Sequence, residues 1–173
     1  MNLKKINRSR GFTLIEILVV IGIIAILAAV VIIAINPARQ FAQARNSQRT
    51  ANVNAILNAI GQNLADNKGL FTCDENGDGD TTDPTDLLPA SVTELANSEY
   101  NIYNCLVPTY MPALPFDPGN PSVAIASDAQ FTSSSNYETG YTVNTDTNGR
   151  VTLCAPGGVE PSISGSLALC VTR

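Results

Sequence analysis

The chain has 173 residues, a net charge of −5, 45% hydrophobic residues, and neither histidine nor tryptophan. That length holds one membrane-length segment and one modest globular head. Without histidine there is no Ser–His or Cys–His nucleophile pair and no imidazole for zinc, and no glycine run cradles phosphate ahead of a Lys–Ser/Thr pair, so enzyme chemistry is not expected.

The first 11 residues form a short basic leader, with Lys4, Lys5, Arg8 and Arg10 ahead of Gly11. From Phe12 to Ile35 the chain is apolar for 24 residues, with Glu16 its only charge. At about 1.5 Å per residue a helix of that length reaches roughly 36 Å, enough to cross a hydrocarbon core of about 30 Å with some tilt. The basic flank keeps the leader on the cytoplasmic side and sends the remainder outward. A secretory signal has a shorter apolar core followed by a small-residue cleavage site. Here Ala28 and Ala29 lie inside the run, with more apolar sequence after them. A plain single-pass anchor explains the length and the basic flank, but not Glu16. An ionised carboxylate at that depth costs about 2.5–3.5 kcal/mol even on lenient scales, so it needs a partner, and none is evident within the segment.

The string Gly11-Phe12-Thr13-Leu14-Ile15-Glu16, between a basic leader and an apolar helix, resembles the signature of type IV prepilins and type II secretion pseudopilins. The resemblance implies cleavage between Gly11 and Phe12 by a membrane prepilin peptidase and N-methylation of Phe12. It also implies that Glu16 pairs with the new α-amino group of a neighbouring subunit, and that an assembly ATPase and a membrane platform are partners. A buried acid and a buried amine are each costly alone and tolerable together, so pairing them across chains would set the register of an assembly. On this reading residues 1–11 are a cleaved leader, 12–36 the transmembrane or filament-core half of a helix, 37–68 its amphipathic half, and 69–173 a globular head.

Pro37 could begin a new helix or kink a continuous one, and the family resemblance favours the kink. Val53, Ile56, Ile60 and Leu64 recur at helical spacing with Leu57 beside them, opposite Asn54, Asn58 and Gln62. Such a stripe is expected to pack on the head, and the helix should end near Asn67-Lys68-Gly69. This stalk is basic, with Arg39, Arg45, Arg49 and Lys68 against Asp66. From Gly69 onward 13 acids face only Arg150 and Arg173. The asymmetry serves either solubility or electrostatic matching between neighbouring subunits, and an acidic head is a poor surface for nucleic acid.

The stretch Asp74-Glu75-Asn76-Gly77-Asp78-Gly79-Asp80 follows the front half of an EF-hand loop. Asp74, Asn76, Asp78 and Asp80 are candidate calcium ligands, with Asp83 (or Asp86) closing the site, because Thr85 stands where a bidentate Glu belongs. The alternative is a solvated acidic loop. Asn144, Asp146 and Asn148 show a similar spacing that reads better as a hairpin turn. Ser91-Val92-Thr93-Glu94 fits a capping box, predicting a short helix to about Asn97. Pro108, Pro112, Pro115, Pro118 and Pro121 predict an extended, turn-rich connection. Within it, Leu114-Pro115-Phe116-Asp117-Pro118-Gly119, leading on to Tyr137 and Tyr141, is similar to the Pro-Asp-Pro turn before the sheet of major pseudopilins.

Short strands are expected around Val123 and Ile125, Tyr141 and Val143, Val151 and Leu153, and from Leu167 to Thr172, with a hairpin turn over Asn144–Gly149. Cys73, Cys105, Cys154 and Cys170 all lie in the exported part, where an even count favours two disulfides over free buried thiols. Three connectivities exist; neighbourhood in chain order leans to Cys73–Cys105 and Cys154–Cys170. A four-thiolate zinc site lacks the close Cys pairs it needs.

The fold expected is α+β, a long N-terminal helix with its first half transmembrane, packed on a small C-terminal antiparallel sheet, pilin-like. The function expected is structural: a homo-oligomeric pilus subunit held first in the cytoplasmic membrane with its head exported. A type II secretion pseudopilin is the alternative within the class. A membrane-anchored, calcium-dependent adhesion module is the alternative outside it.

Overall fold

A computed structural model describes residues 11–73, 87–119, 133 and 135–173 of the chain. The chain divides into two compact units, residues 1–40 and 41–173.

In the first unit, helix α1 runs Leu14–Ile35, and none of its residues is buried. Its surface is a continuous coat of Leu, Ile and Val, long and apolar enough to cross a membrane. It ends at Asn36, which is left-handed (φ 47°), and Pro37 opens helix α2, Pro37–Asp66. The expected kink is therefore a break. Asparagine tolerates the left-handed conformation, and proline suits the first turn of a helix, where its missing N–H costs nothing.

In the second unit, α2 buries Val53, Ile56, Leu57, Ala59 and Ile60. These join the buried side chains of an antiparallel sheet in one core. The strands are β1 (Thr93–Ala96), β2 (Glu138–Thr145), β3 (Val151–Ala155) and β4 (Leu169–Thr172), ordered β1-β2-β3-β4. Alternation decides the faces. Tyr141 and Val143 of β2 and Val151, Leu153 and Ala155 of β3 point into the core. On the other face Glu94, Thr142, Cys154 and Cys170 stand in register across all four strands. The β2–β3 turn is narrower than expected, closing over Asp146–Gly149. There Asp146 Oδ1 accepts from the amides of Asn148 (2.8 Å) and Arg150 (2.9 Å).

α2 stops after Asp66 with the Gly69 amide donating to Leu64 O at 2.7 Å, and Lys68 takes the left-handed position at φ 59°. Asn63, buried, then holds the chain past the helix end, donating to Thr72 O and accepting from the Thr72 amide. Helix α3, Tyr103–Leu106, buries Cys105 and Leu106 and precedes a cis Val107–Pro108 bond.

The helix expected from Ser91 to Asn97 is instead strand β1. Its capping signal is spent otherwise: the Thr93 hydroxyl donates to Ser91 O, and the Glu94 amide donates to Glu99 Oε2. Leu95 and Ala96 gain more as a strand, both buried beside β2. The strand expected around Val123 and Ile125 lies outside the described residues.

Candidate processing and assembly site

The residues around the Gly11–Phe12 bond are laid out by the start of α1. Thr13 is the N-cap, extended at φ −86° and ψ 151°. Its hydroxyl accepts from the Glu16 amide at 3.3 Å, while Glu16 Oε2 accepts from both the Thr13 amide and the Thr13 hydroxyl at 2.8 Å. This is a capping box, each residue satisfying a donor that the first helical turn leaves open. The carboxylate thus has a local hydrogen-bond partner within its own chain, which the sequence reading did not supply. Thr13 is neutral, so the charge stays uncompensated.

Phe12 is 84% exposed. A Cβ placed on Gly11 would meet nothing within 4 Å. Nothing inside the described chain therefore demands glycine at position 11.

The prokaryotic N-terminal methylation motif matches residues 6–32. The chain carries the type IV pilin and pseudopilin signature. No curated protein and no solved structure matches it. The pilin-type family is structural, and its motif implies processing by prepilin peptidase and filament assembly. An apolar N-terminal helix that overlaps that motif fits a membrane-anchored precursor. A long apolar helix, a second helix and a four-stranded antiparallel sheet make the pilin-like α+β arrangement expected of such a subunit.

In the head the two disulfides are Cys73–Cys105 and Cys154–Cys170. The candidate calcium ligands Asp74, Asn76, Asp78, Asp80 and Asp83 lie outside the described residues. Among the described residues no group of three or more His, Cys, Asp or Glu side chains is placed to hold a metal.

One constellation escaped the sequence reading. Arg49 is fully buried, and all five of its N–H donors are used. Nε and Nη2 form a fork on Asp117 at 2.7 and 2.8 Å. Nη1 reaches Glu160 Oε1 at 2.5 Å and Asn46 Oδ1 at 2.8 Å, and Nη2 also donates to Gly119 O. Arg45, one helical turn earlier, forks onto Glu160 at 2.7 and 2.5 Å. Asp117 belongs to the segment Pro115-Phe116-Asp117-Pro118 and Glu160 to the loop between β3 and β4, so α2 is tied to both. The fit is tight: a Cβ on Gly157 would stand 2.7 Å from Asp117 Oδ2. The hydrogen bond from Arg45 leads in holding the Glu160 carboxyl down at about 2. Two of the four stalk cations are thus consumed inside the head, which withdraws them from matching between neighbouring subunits. The available signal was two arginines at i, i+4 on the helix that carries the core stripe.

Proposed function

We propose that the chain is the structural subunit of a type IV pilus-like filament. It waits as a single-pass precursor in the cytoplasmic membrane, loses residues 1–11 to prepilin peptidase, is methylated at Phe12, and is drawn into the fibre through residues 12–36. Residues 37–68 and the head, 69–173, then form the outer part. The assembly ATPase and membrane platform drive the extraction. The observation that carries this reading is the single acid, Glu16, on a wholly exposed apolar helix, four residues beyond the position where cleavage makes an amine. The open surroundings of Gly11 support it as well, since the glycine then answers to the peptidase and not to the chain's own packing.

Glu16 pairs with the α-amino group of Phe12 in the next subunit. Glu16→Leu should therefore insert and be cleaved normally, while filament yield falls by on the order of tenfold, because the amine is left buried without its counter-charge. Electron microscopy of sheared surface material, with a gel for processing, checks this. Undiminished filaments would refute the pairing.

The second reading is a type II secretion pseudopilin, forming a short periplasmic filament. The Asp117 turn favours it, because the turn similar to that of major pseudopilins is also an anchor for α2. Antibody to the head separates the two: long labelled fibres mean a pilus, and cell-confined label means the secretion filament. An anchored adhesion module would instead retain its leader on a gel.

Calcium binding by Asp74, Asn76, Asp78, Asp80 and Asp83 rests on their spacing alone. Calcium should raise the melting temperature and EDTA reverse the gain; no shift at millimolar calcium would remove the site.

A further inference from the structure

The two disulfides stand in different surroundings. Cys73 and Cys105 are 2% and 7% exposed and belong to the core. Cys154 and Cys170 face one another across β3 and β4, on the sheet face opposite Val151, Leu153 and Ala155. There Cys154 is half-buried and Cys170 exposed.

A thiolate attacks a disulfide in line with the S–S bond, so access along that line selects the sulfur. This bond joins β3 to β4. Cys154 lies on β3 between two strands, with Thr142 of β2 as its cross-strand neighbour on the side away from Cys170. Cys170 is exposed and has no further strand beside it among the described residues, because β4 is an edge strand whose one partner there is β3. Cys170 is therefore the open sulfur and Cys154 the leaving group.

The loop between the two cysteines is also fastened without them. Glu160 is held by Arg45 and Arg49, the Gly158 carbonyl accepts from Asn46, and Ser166 bonds both the amide and the carbonyl of Glu160. The β3–β4 ladder and the Thr152–Thr172 hydroxyl pair hold the strands. None of these contacts involves either sulfur.

We propose that Cys154–Cys170 is a thiol–disulfide exchange site of the folded head. Its co-reactant is a dithiol whose attacking thiol titrates near ambient pH, the chemistry of a Cys-x-x-Cys oxidoreductase in the compartment to which the head is exported. That compartment rests on the function proposed above. The partner thiolate bonds to Cys170 Sγ, and Cys154 leaves as a thiolate and takes a proton. The partner's second thiolate then attacks the mixed disulfide, and Cys170 leaves and is protonated. The head gains two electrons and two protons, the partner becomes a disulfide, and the reverse sequence reseals the bond. Cys73–Cys105 takes no part, because the core covers both sulfurs. Disulfide editing of the head thus has an entry point that does not require unfolding.

The test uses the full-length protein in detergent, dithiothreitol as the dithiol, and alkylation followed by peptide mass spectrometry. Cys154 and Cys170 should be labelled about tenfold sooner than Cys73 and Cys105, with the circular dichroism spectrum unchanged. Equal rates, earlier labelling of Cys73 and Cys105, or loss of the spectrum in step with labelling would each overturn the proposal. In Cys154→Ser, oxidised glutathione should form an adduct at Cys170; absence of the adduct would overturn it as well. The readouts are independent of cleavage and filaments, so failure here leaves the pilin reading untouched, and failure of that reading leaves this chemistry standing.

Discussion

Arg49 shows how one side chain can decide how a helix sits on its sheet. A buried guanidinium is tolerable only when counter-charges and acceptors satisfy it completely, and Asp117, Glu160, Asn46 and Gly119 do so. Arg49→Met keeps the volume and removes the cation, leaving Asp117 buried without it. The expected cost is about 3–5 kcal/mol in urea unfolding of the full chain. Arg45→Met should cost only about 1 kcal/mol, because the Arg45 side chain is 35% exposed and solvent screens its pair. Equal losses would contradict the division of roles. The arginines at i, i+4 were visible in the sequence, but their partners were not. Arg49 looks there like one more cation on a solvated stalk, and its acids lie 68 and 111 residues away. Glu16 was legible for the opposite reason: its peculiarity is local, a charge inside an apolar run.

Among the elements, those with a strict period were legible and those set by competition were not. The Val53–Ile60 stripe and the alternation of Tyr141 with Val143 and Val151 with Leu153 follow from burial on one face. β1 was misread because Ser91 to Glu94 offers a local capping pattern that tertiary pairing with β2 outweighs. At Pro37 the kink was favoured over the fresh start that the structure shows, because a proline after an apolar run is compatible with both. The end of α2 was placed correctly, but its left-handed residue is Lys68, where a side chain is disfavoured by roughly 1–2 kcal/mol. Lys68→Gly should therefore stabilise the head by about 1 kcal/mol, read as a higher melting temperature. A decrease would mean that the Lys68 side chain contributes more than its backbone costs.

For the head as a whole, the charge clamp sets the acid limit. Glu160 titrates at about 2 in the folded protein against an ordinary value of 4.5. A carboxyl lowered on folding contributes its full stability above the unfolded value and loses it as pH falls toward the folded one. Stability should therefore be level above about pH 5 and decline from there to about pH 2. Glu160→Gln should flatten that decline, as followed by urea unfolding at a series of pH values. A wild-type slope unchanged in the variant would assign the acid sensitivity to other groups.

On the function proposed above, the clamp also has a bearing on how assembled fibres would meet one another. Arg45 and Arg49 cancel Asp117 and Glu160 inside the head, so the other acids from Gly69 onward are left with only Arg150 and Arg173 in that stretch to offset them. A fibre sheathed in such heads would be a polyanion. Its flanks hold one another apart in dilute buffer and can come together into bundles once salt shortens the reach of that repulsion to about 8 Å or less.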